Sequence, residues 1–217
     1  MDMFKFILIL LGAYFIGSIP FGYLAGKVIK RVDLRREGSK NVGATNVFRV
    51  VGTLPAIAVL FLDICKGFLS IHLPGLFQLG GSPGISAQTF TLTRILAGLV
   101  AIAGHNWTIF LKFRGGKGVA AGCGVSIGLA PFPALVSLAI FVVVTGLTRY
   151  VSLGSIFGVL AFPLNCLLFK ESLILVFFGS IVALVIIVRH QANIKRLIAG
   201  TENRIEWVRD KERISNF

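Results

Sequence analysis

Seven apolar stretches follow one another along this chain, most of them close to bilayer length, with only short polar links between them. That feature leaves few folds open. The hydrocarbon core of a membrane is about 30 Å thick and takes about 20 helical residues to cross. No water is present there to bind backbone polar groups, so a spanning segment must satisfy its own N–H and C=O groups. Long apolar runs without strand-like alternation therefore specify helices. The stretches lie at 4–28, 53–72, 92–111, 117–129, 132–148, 152–168 and 171–189. Only 14% of the residues are charged and mean hydropathy is +0.86, against about 25% charged in a soluble domain. The expected fold is an all-α, polytopic integral membrane protein of seven transmembrane helices. It divides into a membrane domain, 1–200, and a cytoplasmic tail, 201–217, that is amphipathic around Ile205, Trp207 and Val208 or disordered.

The fourth stretch is the weakest. A dozen residues at about 1.5 Å each reach only about 18 Å, and Pro131 and Pro133 separate it from the fifth. Charge supports counting it. The first link carries Lys30, Arg31, Arg35, Arg36, Lys40 and Arg49, the third Lys112, Arg114 and Lys117, the fifth Arg149, and the tail is basic. The link at 73–91 and the turn between the fourth and fifth stretches carry no charge, and Lys170 balances Glu171. Basic and neutral links alternate, as seven spans with the N-terminus outside and the C-terminus in the cytoplasm require. Asp2 and Lys5 make almost no positive n-region, so 4–28 is read as the first span rather than a signal peptide.

The net charge of +13 is spread over these links, so a loop bias explains it without nucleic acid. Cys65, Cys123 and Cys166 are far apart and form neither a metal spacing nor an obvious disulfide set. Gly98, Gly122, Gly124 and Gly128 suit close helix packing.

The polar residues worth chemistry are concentrated in the basic links and the span ends beside them. Residues 38–49 (GSKNVGATNVFR) place glycines, Ser39, Asn41, Gly43, Thr45 and Asn46 between cations, a composition able to wrap backbone N–H groups round an anion. Arg49 adds a fork for a phosphate. Residues 112–119 (KFRGGKGV) precede an apolar helix, whose N-terminus attracts anions. Gly116 would let backbone approach closely, and Lys117 supplies a point charge. This is not a nucleotide P-loop, because Gly118 stands where Ser or Thr is needed. His105 and Asn106 end the third stretch, where polar side chains are costly against lipid. His190 and Asn193 are three apart and look to one side. Ser152 and Ser155 make a similar pair, although membrane serines often bond only to their own helix. Asp63 and Lys66, also three apart, read as an ion pair inside the bundle.

Taken together these residues resemble the bacterial acyl-phosphate:glycerol-3-phosphate acyltransferases, the PlsY family. The resemblance runs from Gly17 to Glu202. It rests on Gly17-Ser18-Ile19-Pro20, 38–49, Gly104-His105-Asn106, Arg114-Gly115-Gly116-Lys117-Gly118, Arg149 to Ser155, and His190 to Leu197 followed by Gly200-Thr201-Glu202. Lys40 and the long tail depart from the family pattern. The resemblance implies transfer of a fatty acyl group from acyl phosphate to the 1-hydroxyl of sn-glycerol 3-phosphate, giving lysophosphatidate and phosphate. It implies no cofactor, no metal and no acyl-CoA. The setting is the bacterial cytoplasmic (inner) membrane with the site facing the cytoplasm, and the enzyme is expected to be a monomer among membrane lipids. Ser39, Arg49, Lys117 and Ser155 are then expected to contact phosphate. His190 and Asn193 would lie beside the reacting groups, while Thr45, Asn46 and His105 shape the pocket. Proton removal has two accounts: His190 as base, or a substrate phosphate oxygen with His190 and Asn193 positioning. The rival readings are a transporter of phosphate or a phosphorylated solute, which calls for mid-membrane polar contacts, and a lipid-binding scaffold.

Overall fold

The computed structural model describes residues 3–77 and 86–205, and every regular element among them is helical. In order these are α1 (Met3–Ser18), α2 (Phe21–Ile29), α3 (Ala44–Val50), α4 (Thr53–Ser70), α5 (Leu73–Leu76), α6 (Ala87–Asn106), a 3-10 turn (Ile109–Leu111), α7 (Val119–Leu129), α8 (Pro131–Thr148), α9 (Val151–Leu168), α10 (Leu173–Arg189) and α11 (Gln191–Ile198). The middle of the neutral 73–91 link and the Trp207–Val208 part of the expected tail helix lie outside the described residues. Residues 201–205 form no helix.

The apolar and polar residues are inverted relative to a soluble fold. Leu147, Leu168, Leu173 and Phe177 are exposed, while Asp63, Lys66, Thr93, His105 and Asn106 are buried. A lipid-facing exterior and a polar, hydrogen-bonded interior are what hydrocarbon solvent demands. An apolar core of Ile71, Ile95, Ile102, Val125, Phe162, Phe178, Val182 and Ile186 joins α6, α7, α9 and α10.

Among the described residues, five segments are long and apolar enough to cross a membrane: 3–29, 53–70, 87–111, 131–148 and 151–168. α10 reaches that length only when taken together with α11, from which it is bent by 63°. The 11 residues of α7 reach only about 16 Å at 1.5 Å each. The first segment is not one straight helix, as the unbroken run 4–28 suggests. Pro20 has no N–H and disfavours helical Ile19 before it, so the helix breaks between Ser18 and Phe21. The Ile19 carbonyl freed by the break accepts from Lys66 Nζ at 2.8 Å. Lys66 also meets Asp63 Oδ1 at 2.7 Å, the buried pair expected from their spacing.

The glycines do different work. A methyl group at Gly124 would lie 1.9 Å from the Ile64 carbonyl oxygen, so this residue is what lets α7 touch α4. Gly98 and Gly128 are filled by Val125 and Ile71 in the same way, whereas Gly122 has nothing closer than 3.6 Å.

Arg94, inside α6, explains how short α7 can stop within the bundle. Its Nη2 donates to the Gly128 carbonyl near the end of α7 at 2.7 Å, and its Nε to Ile71 just past α4 at 3.3 Å. A cation there complements two helix C-termini. Arg94→Leu strands both carbonyls away from water, at about 1–3 kcal/mol each. It should therefore lower the melting temperature of detergent-solubilised protein, and an unchanged melting curve would show that this clamp is not needed.

Candidate active site

Four segments distant in sequence meet at one cavity of about 130 Å³: the 39–49 stretch (a loop running into α3), the start of α7, the start of α9, and the α10–α11 elbow, with residues of α4, α6 and α8 and Glu202 completing the wall. The loop is folded by its own asparagines. Asn46 is buried; its Oδ1 accepts from the Ser39 N–H at 2.8 Å and its Nδ2 donates to the carbonyls of Leu34, Glu37 and Asn41. Asn41 Oδ1 accepts from the Gly43 N–H at 2.9 Å. These closures turn Ser39, Thr45 and Arg49 into the cavity. The Arg49 fork is only lightly held, by one 3.3 Å bond from Nη2 to the Asn203 carbonyl.

The 112–118 turn folds back over the end of α6. The Gly115 N–H donates to Asn106 O at 3.1 Å and the Gly116 N–H to His105 O at 2.9 Å. Gly118, at φ +89°, then opens α7, a left-handed conformation that favours glycine. Gly118, Val119 and Ala120 border the cavity, and a helix begins here with its first N–H groups without intrahelical partners. Lys117 enters beside them and donates its Nζ to Asn193 Oδ1.

Asn193 in turn donates Nδ2 to Glu202 Oε1 at 2.7 Å, where Ser152 Oγ also donates, at 2.9 Å. Arg196 Nε donates to Glu202 Oε2 at 2.6 Å. Burial pushes the Glu202 carboxyl up, but these three hydrogen bonds outweigh it and hold the group below its ordinary value. Burial, with Arg196, Arg49 and Arg189 nearby, pushes Lys117 down to about 8 despite Glu202. His190 lies just past α10, with Nδ1 2.8 Å from the Ile186 carbonyl. A carbonyl only accepts, so this contact puts the proton on Nδ1 and leaves Nε2 as the acceptor. Burial and then the Lys117 ammonium push His190 down to about 4, so it is neutral at physiological pH.

Every residue given a catalytic or substrate-binding role from the sequence lines this cavity except Gly116; Asn106 and Lys66, noted there as polar residues in the bundle, do not. Gly116 N–H and carbonyl both point elsewhere, and a methyl group there would lie 2.1 Å from His105 Nε2. Its role in this structure is close packing on His105. Ser155 borders the cavity while its hydroxyl donates to Val151 O at 2.8 Å. His105 borders it too, with Nδ1 3.6 Å from Asp63 Oδ1, too long for a hydrogen bond. Sequence reasoning gave no site role to Asp63 or Glu202, both of which line the cavity. Glu202 stood in the Gly200-Thr201-Glu202 part of the resemblance with no role attached, and locally it is a lone acid two residues past a glycine in a basic segment.

A second cavity, also about 130 Å³, is apolar and runs between α4, α7, α8, α9 and α10. It shares Leu60, Val119, Ala120, Phe141 and Ser155 with the first. A chamber walled by Arg49, Lys117, Asp63 and Glu202 thus lies against an apolar one, with these five residues in the wall of both. The pair suits an amphiphile whose charged and apolar parts meet at the reacting atoms.

Comparison with known proteins agrees with that chemistry. The family described as glycerol-3-phosphate acyltransferase matches residues 7–200. A glycerol-3-phosphate acyltransferase of Staphylococcus carnosus is 43% identical over 202 residues, covering 93% of this chain and 98% of its own. That of Chlorobium luteolum is 40% identical over 234 residues, covering 94% and 98%. The crystal structure of PlsY (YgiH), an integral membrane glycerol 3-phosphate acyltransferase, in its glycerol 3-phosphate form superposes with a TM-score of 0.82 at 35% identity, over 93% of this chain and 96% of that one. Its lysophosphatidic acid form gives 0.80 at 34% identity, over 93% and 95%. With the family match spanning nearly all the described helices and the relatives matched almost end to end, the chain belongs to the glycerol-3-phosphate acyltransferase family.

Proposed function

We propose that this protein transfers a fatty acyl group from acyl phosphate to the 1-hydroxyl of sn-glycerol 3-phosphate, releasing lysophosphatidate and inorganic phosphate. The observation that carries this reading is the shared wall of two cavities, one lined by Ser39, Arg49, Lys117 and the start of α7 and the other apolar. Phosphoryl groups sit with Ser39, Arg49, Lys117 and the N–H groups of α7, and the acyl chain extends into the apolar chamber. The glycerol 1-hydroxyl oxygen bonds to the carbonyl carbon, the bond from that carbon to the phosphate oxygen breaks, and the hydroxyl proton passes to a phosphate oxygen. Holding both partners where the two cavities adjoin removes much of the entropic barrier, and the cations stabilise charge on the departing phosphate. The low basicity of His190 favours the substrate-assisted route, with Nε2 orienting the hydroxyl. Single-turnover chemistry in His190→Ala checks this: a near-normal rate excludes His190 as base.

The same reading places seven spans in a bacterial inner membrane, with α7 as a short seventh, the N-terminus outside and the cavity open to the cytoplasm. One chain supplies every group named, so a monomer suffices. A phosphate transporter is not favoured, given family membership and a site at one end of the bundle. The direct test mixes purified protein with palmitoyl phosphate and glycerol 3-phosphate and measures lysophosphatidate and phosphate. Acyl-CoA and acyl-carrier-protein donors run in parallel, and equal rates with them would overturn the donor assignment.

The apolar chamber makes a specificity prediction. Gly122 borders it with ordinary contact distance to Val182 and Ile186. Gly122→Leu should shift preference toward shorter chains, by roughly tenfold in the ratio of kcat/KM for decanoyl over palmitoyl phosphate. An unchanged ratio would place the chain elsewhere.

A further inference from the structure

The carbonyls of the Gly115–Gly116 turn face away from the cavity, and the group that holds them does not line it. Arg189, the half-buried last residue of α10, donates Nη2 and Nε to the Gly116 carbonyl at 2.9 and 3.3 Å. Longer Nη2 contacts of 3.4 Å reach the carbonyls of Gly115 and Asn106. The guanidinium also lies 5.7 Å from the centre of the Trp107 ring. One planar fork therefore collects three carbonyls and an aromatic face.

Two physical consequences follow from that placement. A peptide carbonyl turned into an anion site would repel phosphate, and a Gly-Gly unit, lacking Cβ atoms, offers little resistance to such a rotation. Arg189 supplies the restoring force by binding those oxygens on the far side. It also immediately precedes His190, so it ties the α10–α11 elbow to the turn that carries Lys117. A lysine cannot reproduce this, because a single ammonium lacks the planar fork.

We propose that Arg189 is a positioning residue for the phosphate site. It keeps the Gly115 and Gly116 carbonyls off the bound anion and fixes Lys117 relative to His190. The assignment rests on the acyl-transfer reading, and its test separates the two. The unsubstituted protein must form lysophosphatidate in the same assay, and failure there overturns the reaction and not the role of Arg189. Glycerol 3-phosphate binding, followed by thermal stabilisation, reports on Arg189 without turnover.

Arg189→Ala is expected to lower kcat about 100-fold, as a misplacement of about 1 Å does. KM for glycerol 3-phosphate should rise, its binding should weaken, and the melting temperature without ligand should fall by too little to account for these losses. Millimolar guanidinium should raise both binding and rate about tenfold, methylammonium should not, and Arg189→Lys should remain impaired. Activity and binding within about twofold of the unsubstituted protein would overturn the proposal. So would losses that guanidinium leaves unrepaired, or losses fully explained by a lower melting temperature, since Arg189 would then only brace the 115–116 turn.

Discussion

Replacing Lys117 with methionine is expected to cut the rate of lysophosphatidate formation by about 100- to 1000-fold, the usual cost of removing one donor aimed at developing charge. Methionine keeps an unbranched stem of similar length and removes only the ammonium. Lys117 is the cation placed where the α7 N-terminus meets the elbow residue Asn193, to which its Nζ donates. Substitution loses the charge on phosphate and also leaves Asn193 Oδ1 without its donor. A rate within threefold of the parent would mean the helix N-terminus and Arg49 bind the anion alone. The same residue sets a pH limb. Burial has pushed Lys117 down to about 8, so in the free enzyme it is protonated below that pH and loses its charge above it. The value of kcat/KM should therefore fall as pH rises past about 8. His190, at about 4, stays neutral from pH 6 upward and contributes no limb there. An acid limb near pH 6 would belong to substrate phosphate, whose second ionisation lies at about that pH.

Glu202→Ala should be the most damaging change outside the cationic groups. Its carboxylate accepts from Asn193, Ser152 and Arg196 and is 8% exposed. Truncation strands three donors and leaves Lys117, Arg49 and Arg196 without the negative charge among them. Removing one partner of a buried pair costs about 3–5 kcal/mol. The Arg196 side chain is 38% exposed, so solvent takes over part of its interaction and the lower end of that range applies. The expected result is a melting temperature lower by several degrees and a rate lower by about 100-fold, because Asn193 no longer has a fixed orientation toward Lys117. Glu202→Gln keeps an amide oxygen for Asn193 and Ser152 but turns N–H groups or no charge toward Arg196. It should recover stability in part. If Glu202→Ala melts and turns over like the parent, the carboxylate is not what orders the elbow.

How much of this was legible beforehand depended on the range of the interaction. Helix content and the inverted surface followed from composition, because hydrocarbon leaves an isolated segment only one way to satisfy its backbone. The Asp63–Lys66 pair was readable because three residues make one helical turn. The anion-binding character of 38–49 and 112–118 was readable because glycines, amides and cations lie together in the chain.

Contacts between remote segments were not readable. Pro20 marks a break, but only packing brings Lys66 to the Ile19 carbonyl. Gly116 looked like a backbone donor for phosphate, yet the fold back over α6 spends its N–H on His105 and its carbonyl on Arg189. Glu202 sits fifty residues from Ser152, and no local pattern pairs them. The sequence by itself determined a helical membrane protein with phosphate-seeking links, since short-range geometry and hydrophobic transfer act on neighbours. Only the tertiary structure decided that a polar-lined and an apolar cavity share one wall, because that depends on which helix faces meet across the bundle.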